Sequence, residues 1–432
     1  MRKIGFWEAF SIGVGGMVGG GIFAVLGLTI DLAKGAAPVA FFIAGIIALI
    51  TSYSYVKLSL SYPSEGGSIE YIVQAFGNNV FSSIINNLLL ISYVIMLSLY
   101  AYAFGSYASA LFFGKDIDFV QKLFSSGVIV VFVMINLMGA FLTGKAEDLM
   151  VFIKIGILLL FVLICMFSGD YSRLDVSYWE TPLKIMTGGL IIFLAYEGFE
   201  LIANTAKDVT DPKKVLPKAF YASVIFVILL YVSIAVVTVA NVSFEEAKKA
   251  QDYVLAIAAE PFLGKSGFII ISVAALLSTA SAINATLYGG GRVGYLIAKL
   301  GELPSNFALK IKQGYEGMII LGLLAIIFAT SFDLKNISVA GSLGFLIIFG
   351  LVNYSNFKLR KITGSNAYIP MIGTVLCFVS VVVLIWYNLM HSPDSLKSSS
   401  VVILTVTLFS IIYKKLGHEL KSVLDEDLRK GN

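Results

Sequence analysis

Apolar residues run along this chain in long blocks, separated by short polar stretches that hold most of its lysines, prolines and acidic residues. The blocks cover residues 8–31, 37–60, 80–113, 121–142, 149–168, 183–206, 218–241, 264–298, 317–331, 335–356, 368–389 and 399–413. A helix needs about 20 apolar residues to cross the hydrocarbon core of a bilayer. The pattern therefore predicts an all-α integral membrane protein with twelve transmembrane helices. The blocks at 80–113 and 264–298 exceed that length and are expected to tilt or to project into the cytoplasm.

One block is unusual inside. Ile12 to Phe23 reads I-G-V-G-G-M-V-G-G-G-I-F, with six glycines in twelve residues. Each glycine costs a helix about 1 kcal/mol relative to alanine, so the helix is expected to open at Gly19-Gly20-Gly21. Opened backbone at membrane depth is tolerated only where it is buried in protein or lines a cavity. A second, weaker interruption is expected at Ala195-Tyr196-Glu197-Gly198-Phe199. Two interrupted helices in matching positions of two halves point to the binding site of a secondary transporter. The two blocks are five helices apart and so run in opposite directions. Helices 1–5 and 6–10 are thus expected to form a 5+5 inverted repeat within residues 1–356, with helices 11 and 12 at 357–413 and a cytoplasmic tail at 414–432.

Composition agrees with a membrane location. Of 432 residues 58% are hydrophobic and only 13% are charged, against about 25% charged in soluble proteins. With both termini placed in the cytoplasm, about two basic residues lie on the inner side for each on the outer side. Arg2, Lys3, Lys57, Lys145, Arg292 and Lys312 belong to the inner set, which is the direction that the positive-inside rule requires. The expected location is the cell (plasma) membrane, multi-pass. Met1-Arg2-Lys3 is too short for a cleaved signal, so the first helix is expected to be retained. Cys165 and Cys377 both lie in apolar blocks and read as small buried side chains. No His/Cys/Asp cluster has metal-ligand spacing and no nucleophile–base set can be assembled, so neither an enzyme nor a cofactor is expected. Nucleic acid is not an expected partner, and no separate soluble domain is expected after Tyr413.

The glycines of the first break would expose amides near mid-membrane, at the positive end of the half-helix that follows. A carboxylate fits there without an arginine; close helix packing through small residues is the alternative. Glu197 is an ionisable residue inside a span, which makes it a functional candidate. It can accept a substrate ammonium, bind a cationic side chain, titrate with a coupling proton, or serve in a structural hydrogen bond. Glu200, one turn on, is suited to tying neighbouring helices together. Lys154 lies roughly 9 Å above the cytoplasmic end of its helix. It either snorkels to the boundary or turns inward, where desolvation disfavours its charged form and lets it exchange a proton. Turned inward, its expected neighbours are opened carbonyls of the first helix, such as that of Gly19, and the hydroxyls Ser278, Thr279 and Ser281. Those hydroxyls, with Asn284 beyond them, can equally bond back to their own helix. Tyr93 and Tyr196 are candidate gate aromatics.

Four stretches carry a resemblance. They are Met17-Val18-Gly19-Gly20-Gly21-Ile22-Phe23, the loop Tyr62 to Tyr71, Gly198-Phe199-Glu200 followed by Asp211 to Ala219, and Asn284 to Val293 followed by Gly301-Glu302-Leu303-Pro304. In that order the chain resembles the amino acid–polyamine–organocation superfamily of transporters, and within it the archaeal proton-coupled, sodium-independent amino acid transporters. The resemblance implies a LeuT-type fold with broken helices 1 and 6, and amino acid symport with protons by alternating access across the lipid bilayer. It implies a substrate carboxylate on Gly19, Gly20 and Gly21, flanked by Val18 and Ile22. The amine would lie near the carbonyls of Ala195 and Tyr196, between Phe193 and Gly198. Lys154 would occupy the place of a sodium ion. Glu197 departs from the superfamily pattern, which has an uncharged residue there, and Leu194 stands where some members carry a tryptophan. An amino acid/amine exchanger is the alternative that shares every motif; a membrane sensor that binds amino acids without moving them is a third.

Overall fold

The computed structural model describes residues 4–138, 144–167, 169–311 and 314–430. Residues 139–142 and 168 of the expected blocks lie outside the described residues, as do Arg2, Lys3 and Lys312 of the inner basic set.

Helices α1 (Phe6–Met17) and α2 (Gly21–Ala33) form one interrupted span, bent by 45° at the glycine run. After α3 (Ala37–Ser61) and the short α4 (Ser68–Phe76) come α5 (Val80–Phe113), α6 (Asp118–Leu137) and α7 (Gly144–Cys165). Helix α8 (Pro182–Ile191) runs on into a 3-10 helix, Phe193–Thr205, followed by α9 (Pro212–Asn241), α10 (Phe244–Lys249) and α11 (Val254–Lys299). A hairpin of β1 (Lys310–Ile311) and β2 (Gly314–Tyr315), antiparallel with Lys310 opposite Tyr315, leads to α12 (Glu316–Ser331) and α13 (Leu334–Lys358). The turn α14 (Arg360–Thr363) and the helices α15 (Tyr368–His391) and α16 (Pro393–Lys430) complete the chain.

Among the described residues nine helices are long and apolar enough to cross a membrane, and the bent α1–α2 pair makes a tenth. Two shorter apolar helices, Leu149–Cys165 and Glu316–Ser331, fall on the expected blocks 149–168 and 317–331. Two features differ from the hydrophobic pattern. Gly264, at φ 57°, divides α11, so that residues 254–263 form a separate helical piece ahead of the long span. The second interruption does not open at 195–199. The chain tightens there into a 3-10 helix of 13 residues, far beyond the three or four residues at which such helices usually stop. A mid-span stretch of that length brings residues three apart onto one face.

The interrupted segments are the centre of the molecule. In Pro182–Thr205, 89% of an 18-residue apolar window is buried, against 17% of the one in Pro393–Lys415. The outer helices instead expose large apolar side chains such as Phe119, Leu160, Val382 and Val401, as a surface facing lipid tails does. Helix α16 is nevertheless tied to the core: Lys414 reaches Asn78 and the buried Glu302, while Asn87 donates to Ser410.

The two interrupted segments cross at Gly16 and Gly198. A Cβ on Gly198 would lie 2.1 Å from the Gly16 carbonyl carbon, and one on Gly16 would lie 2.8 Å from the Gly198 oxygen. Both obstacles are backbone, so neither can turn aside. Gly198→Ala is therefore expected to destabilise the protein by about 3 kcal/mol or more, seen as a lower melting temperature in detergent. An unchanged melting temperature would show that the segments can part without cost.

Candidate functional site

The hydrogen-bond ladder of α1 ends where Val18 N donates to Val14 O at 2.7 Å. A helix end leaves its last carbonyls without partners in the helix, and here that end is inside the membrane. Side chains from three other helices supply the missing donors. Lys154 Nζ of α7 donates to Gly15 O at 3.0 Å. Tyr231 Oη of α9 donates to Met17 O at 2.6 Å. Ser278 Oγ of α11 lies 3.0 Å from Val18 O and 2.6 Å from Gly19 O. The ladder of α2 begins with Ala24 N donating to Gly20 O at 2.9 Å. The amides of Gly21, Ile22 and Phe23 are therefore first-turn donors with no carbonyl before them in the helix, at its positive end.

Tight packing surrounds the glycines. A Cβ on Gly19 would meet Ala282 Cβ at 2.8 Å, one on Gly20 would meet the Tyr100 ring at 2.4 Å, and one on Gly21 would meet Ala195 Cβ at 2.7 Å. Val18 and Ile22 are fully buried. Tyr231 also reaches Ala195 O at 3.4 Å, so one hydroxyl touches both interrupted segments. Phe193 packs edge-on against Phe349, and Leu194 lies against Gly341. The Tyr196 side chain turns away from the break and donates to Phe41 O at 3.0 Å.

Glu197 and Glu200 sit one 3-10 turn apart and meet different surroundings. Glu200 accepts from Tyr55 (3.0 Å), Ser68 (2.9 Å) and Tyr93 (2.9 Å), which joins α3, α4 and α5 to the 3-10 helix. Glu197 faces a cavity that Gly15, Gly16, Tyr93, Tyr100 and Ser281 help to line. That cavity has about 10 Å³ of room, close to a single water. Leu201 and Ala285 also line a larger cavity, of about 210 Å³, bordered by Asn204, Tyr288, Glu65 and Arg292. Glu65 and Arg292 are ion-paired across it.

Around Lys154 the arrangement differs in part from the expected one. The amine is turned inward, with the residue 3% exposed, and its bond goes to Gly15 rather than Gly19. Ser278 shares an apolar recess with it, beside Met150, Ile153 and Ile157. Thr279 bonds back to Ala275 O in its own helix. Ser281 belongs to the Glu197 cavity, and Asn284 accepts from Asn136 of α6.

Sequence reasoning missed Tyr231 and Tyr100. Each is one of 21 tyrosines, and nothing in its neighbours along the chain marks it. Gly15 and Gly16 lay within the glycine run without a role of their own. Ser278→Ala would leave the Val18 and Gly19 carbonyls without their donor. It is expected to lower stability by about 1–3 kcal/mol, read as a drop in melting temperature that Ser278→Thr largely restores. No drop in Ser278→Ala would mean that these carbonyls are satisfied by other means.

The family model described as "Amino acid permease" matches residues 4–412. The uncharacterized protein MJ0609 of Methanocaldococcus jannaschii is 33% identical over 417 residues, 96% of each chain. The inner membrane transport protein YbaT of Escherichia coli is 34% identical over 383 residues, 88% of this chain and 89% of the relative. Among solved structures, a mutant of the manganese transporter of Eremococcus coleocola aligns with a TM-score of 0.64 at 12% identity, covering 96% of this chain and 95% of the other. At that identity the likeness is one of fold.

Proposed function

The chain belongs to the amino acid permease family, and on that premise we propose that it is a secondary active amino acid transporter driven by protons and independent of sodium. The observation that carries the coupling is the Lys154 amine, buried and donating to a carbonyl that the break in α1 leaves free. A fixed ammonium there does what a bound cation would do for opened carbonyls. Losing its proton removes both the charge and a donor, which loosens α7 from α1. The geometry of α2 supports a carboxylate subsite at the end of the Gly19–Gly21 run, where the amides of Gly21 and Ile22 are free first-turn donors, because half-helix N-termini favour negative charge. The amino group would then lie toward the 3-10 helix at Ala195.

In this reading residues 1–356 form the transport core as two inverted sets of five helices. Helix α15 and the part of α16 up to residue 413 are appended to it, and residues 414–432, into which α16 continues as far as Lys430, are the cytoplasmic tail. The core rocks about the crossing of Gly16 and Gly198. The 210 Å³ cavity at Glu65 and Arg292, on the side assigned to the cytoplasm by its basic residues, is the inner end of the pathway. The protein would sit in the cell membrane with both termini inside.

Uptake of labelled amino acids into proteoliposomes, without sodium and with an inward proton gradient, tests this. Accumulation driven by the gradient is the expected result. Lys154→Ala is expected to lower that accumulation about tenfold or more while the protein stays monodisperse; unchanged gradient dependence would remove Lys154 from coupling. Uptake that occurs only against preloaded amino acid would instead mean exchange. Gly20→Leu, with a side chain forced onto Tyr100, is expected to abolish amino acid binding, and normal affinity would take the α2 amides out of the pocket.

A further inference from the structure

The proposed transport function leaves the substrate's side chain undefined, and one buried group bears on it. Glu197 is 5% exposed, and its Oε2 is buried with no hydrogen-bond partner among the described residues. Its neighbour one 3-10 turn on, Glu200, has three hydroxyl donors. The contrast separates their roles. Glu200 is a structural hub, whereas Glu197 lines a cavity and keeps one buried oxygen without a partner. No lysine or arginine is among the residues lining that cavity. Burying a carboxylate without a cation or donors is costly, so the protein retains here a group that its own side chains do not complete.

We propose that Glu197 completes itself with the substrate: the site takes an amino acid whose side chain carries a second positive charge, and that charge docks on Glu197 between Tyr93 and Tyr100. This rests on the reading of the protein as an amino acid transporter. Position is the first argument. The Tyr100 ring lies over Gly20, at the α2 amides, and also lines the Glu197 cavity. The amide cradle and the carboxylate thus lie on either side of one aromatic ring. A short neutral amino acid with its carboxylate on the amides leaves Glu197 unpaired. A longer chain that passes Tyr100 brings an ammonium or guanidinium to it.

Chemistry is the second argument. Two tyrosine rings border the cavity, and aromatic faces attract cations, more so when desolvated. Tyr93 is held in place by its bond to Glu200, so its ring is positioned before any ligand arrives. Backbone at Gly15 and Gly16 and the hydroxyls of Ser281 and Thr286 border the same space and offer acceptors for the remaining N–H groups. With about 10 Å³ of room, the cavity must widen on binding, and Tyr100 is the side chain that stands in the way. Leu201 and Ala285 line both this cavity and the larger one that Glu65 borders.

L-lysine and L-norleucine differ by the terminal ammonium on chains of the same length and form the direct probe. Competition binding to the purified full-length protein is measured first, then uptake of each into proteoliposomes. Lysine is expected to bind about tenfold or more tightly than norleucine. Glu197→Gln is expected to bring that ratio close to one, and Glu197→Asp, which keeps the charge, to retain a preference for lysine. If Glu197→Gln fails to fold, the wild-type ratio and Glu197→Asp still decide. Norleucine bound and carried as well as lysine by the wild type overturns this inference and leaves amino acid transport standing. A lysine preference that survives in Glu197→Gln overturns it as well. No binding and no uptake of either probe, or of a mixture of the other amino acids, overturns the transport reading together with this one.

Discussion

A helix that breaks inside a bilayer must have its freed carbonyls met by something other than water, and in this protein that requirement organises the centre of the fold. The carbonyls of Gly15, Met17, Val18 and Gly19 receive donors from Lys154, Tyr231 and Ser278. The donors stand on α7, α9 and α11, so three helices are bonded to the end of α1 through groups that α1 would have satisfied itself had it continued. Any movement of these helices relative to α1 alters that set of bonds. Lys154 is the one ammonium among the three donors. In the proposed cycle its link is the one that a proton strengthens or weakens, while the hydroxyl links stay as they are.

The 3-10 segment plays the complementary part. Glycine at positions 16 and 198 lets it touch the end of α1 backbone to backbone. Its three-residue turn then sets Glu197 and Glu200 on one face, with Glu200 anchored by α3, α4 and α5. That anchoring fixes where Glu197 points, beside the break and away from lipid. In the proposed reading a structural carboxylate holds a substrate-binding one in position, and the two are distinguished by their donors and not by their type.

Much of this was legible in the residues. The length and spacing of apolar blocks foretold helices that lie where the blocks do, and three glycines in a row marked the bend at Gly19 to Gly21 because each costs a helix about 1 kcal/mol relative to alanine. The inward turn of Lys154 was one of two stated possibilities, since snorkelling and burial share one sequence. The rest depends on contacts between residues far apart in the chain. Nothing in the block 218–241 says that Tyr231 meets Met17, and nothing near Ser278 distinguishes it from Thr279, which bonds to its own helix. The second interruption takes a different form from the first, an α-helix that gives way to a 3-10 helix. Ala195 to Phe199 contains one glycine against three in a row at the first break, and that stretch is buried within the 3-10 helix.

Proton movement that accompanies amino acid entry bears most directly on this picture. Proteoliposomes loaded with a pH-sensitive dye, free of sodium and with the membrane potential clamped, would be given amino acid from outside. If the amine at the break carries the coupling proton, the lumen acidifies on addition of substrate, and the acidification is lost in Lys154→Ala. Amino acid uptake with no change in lumenal pH, or uptake that requires an internal amino acid, would contradict it.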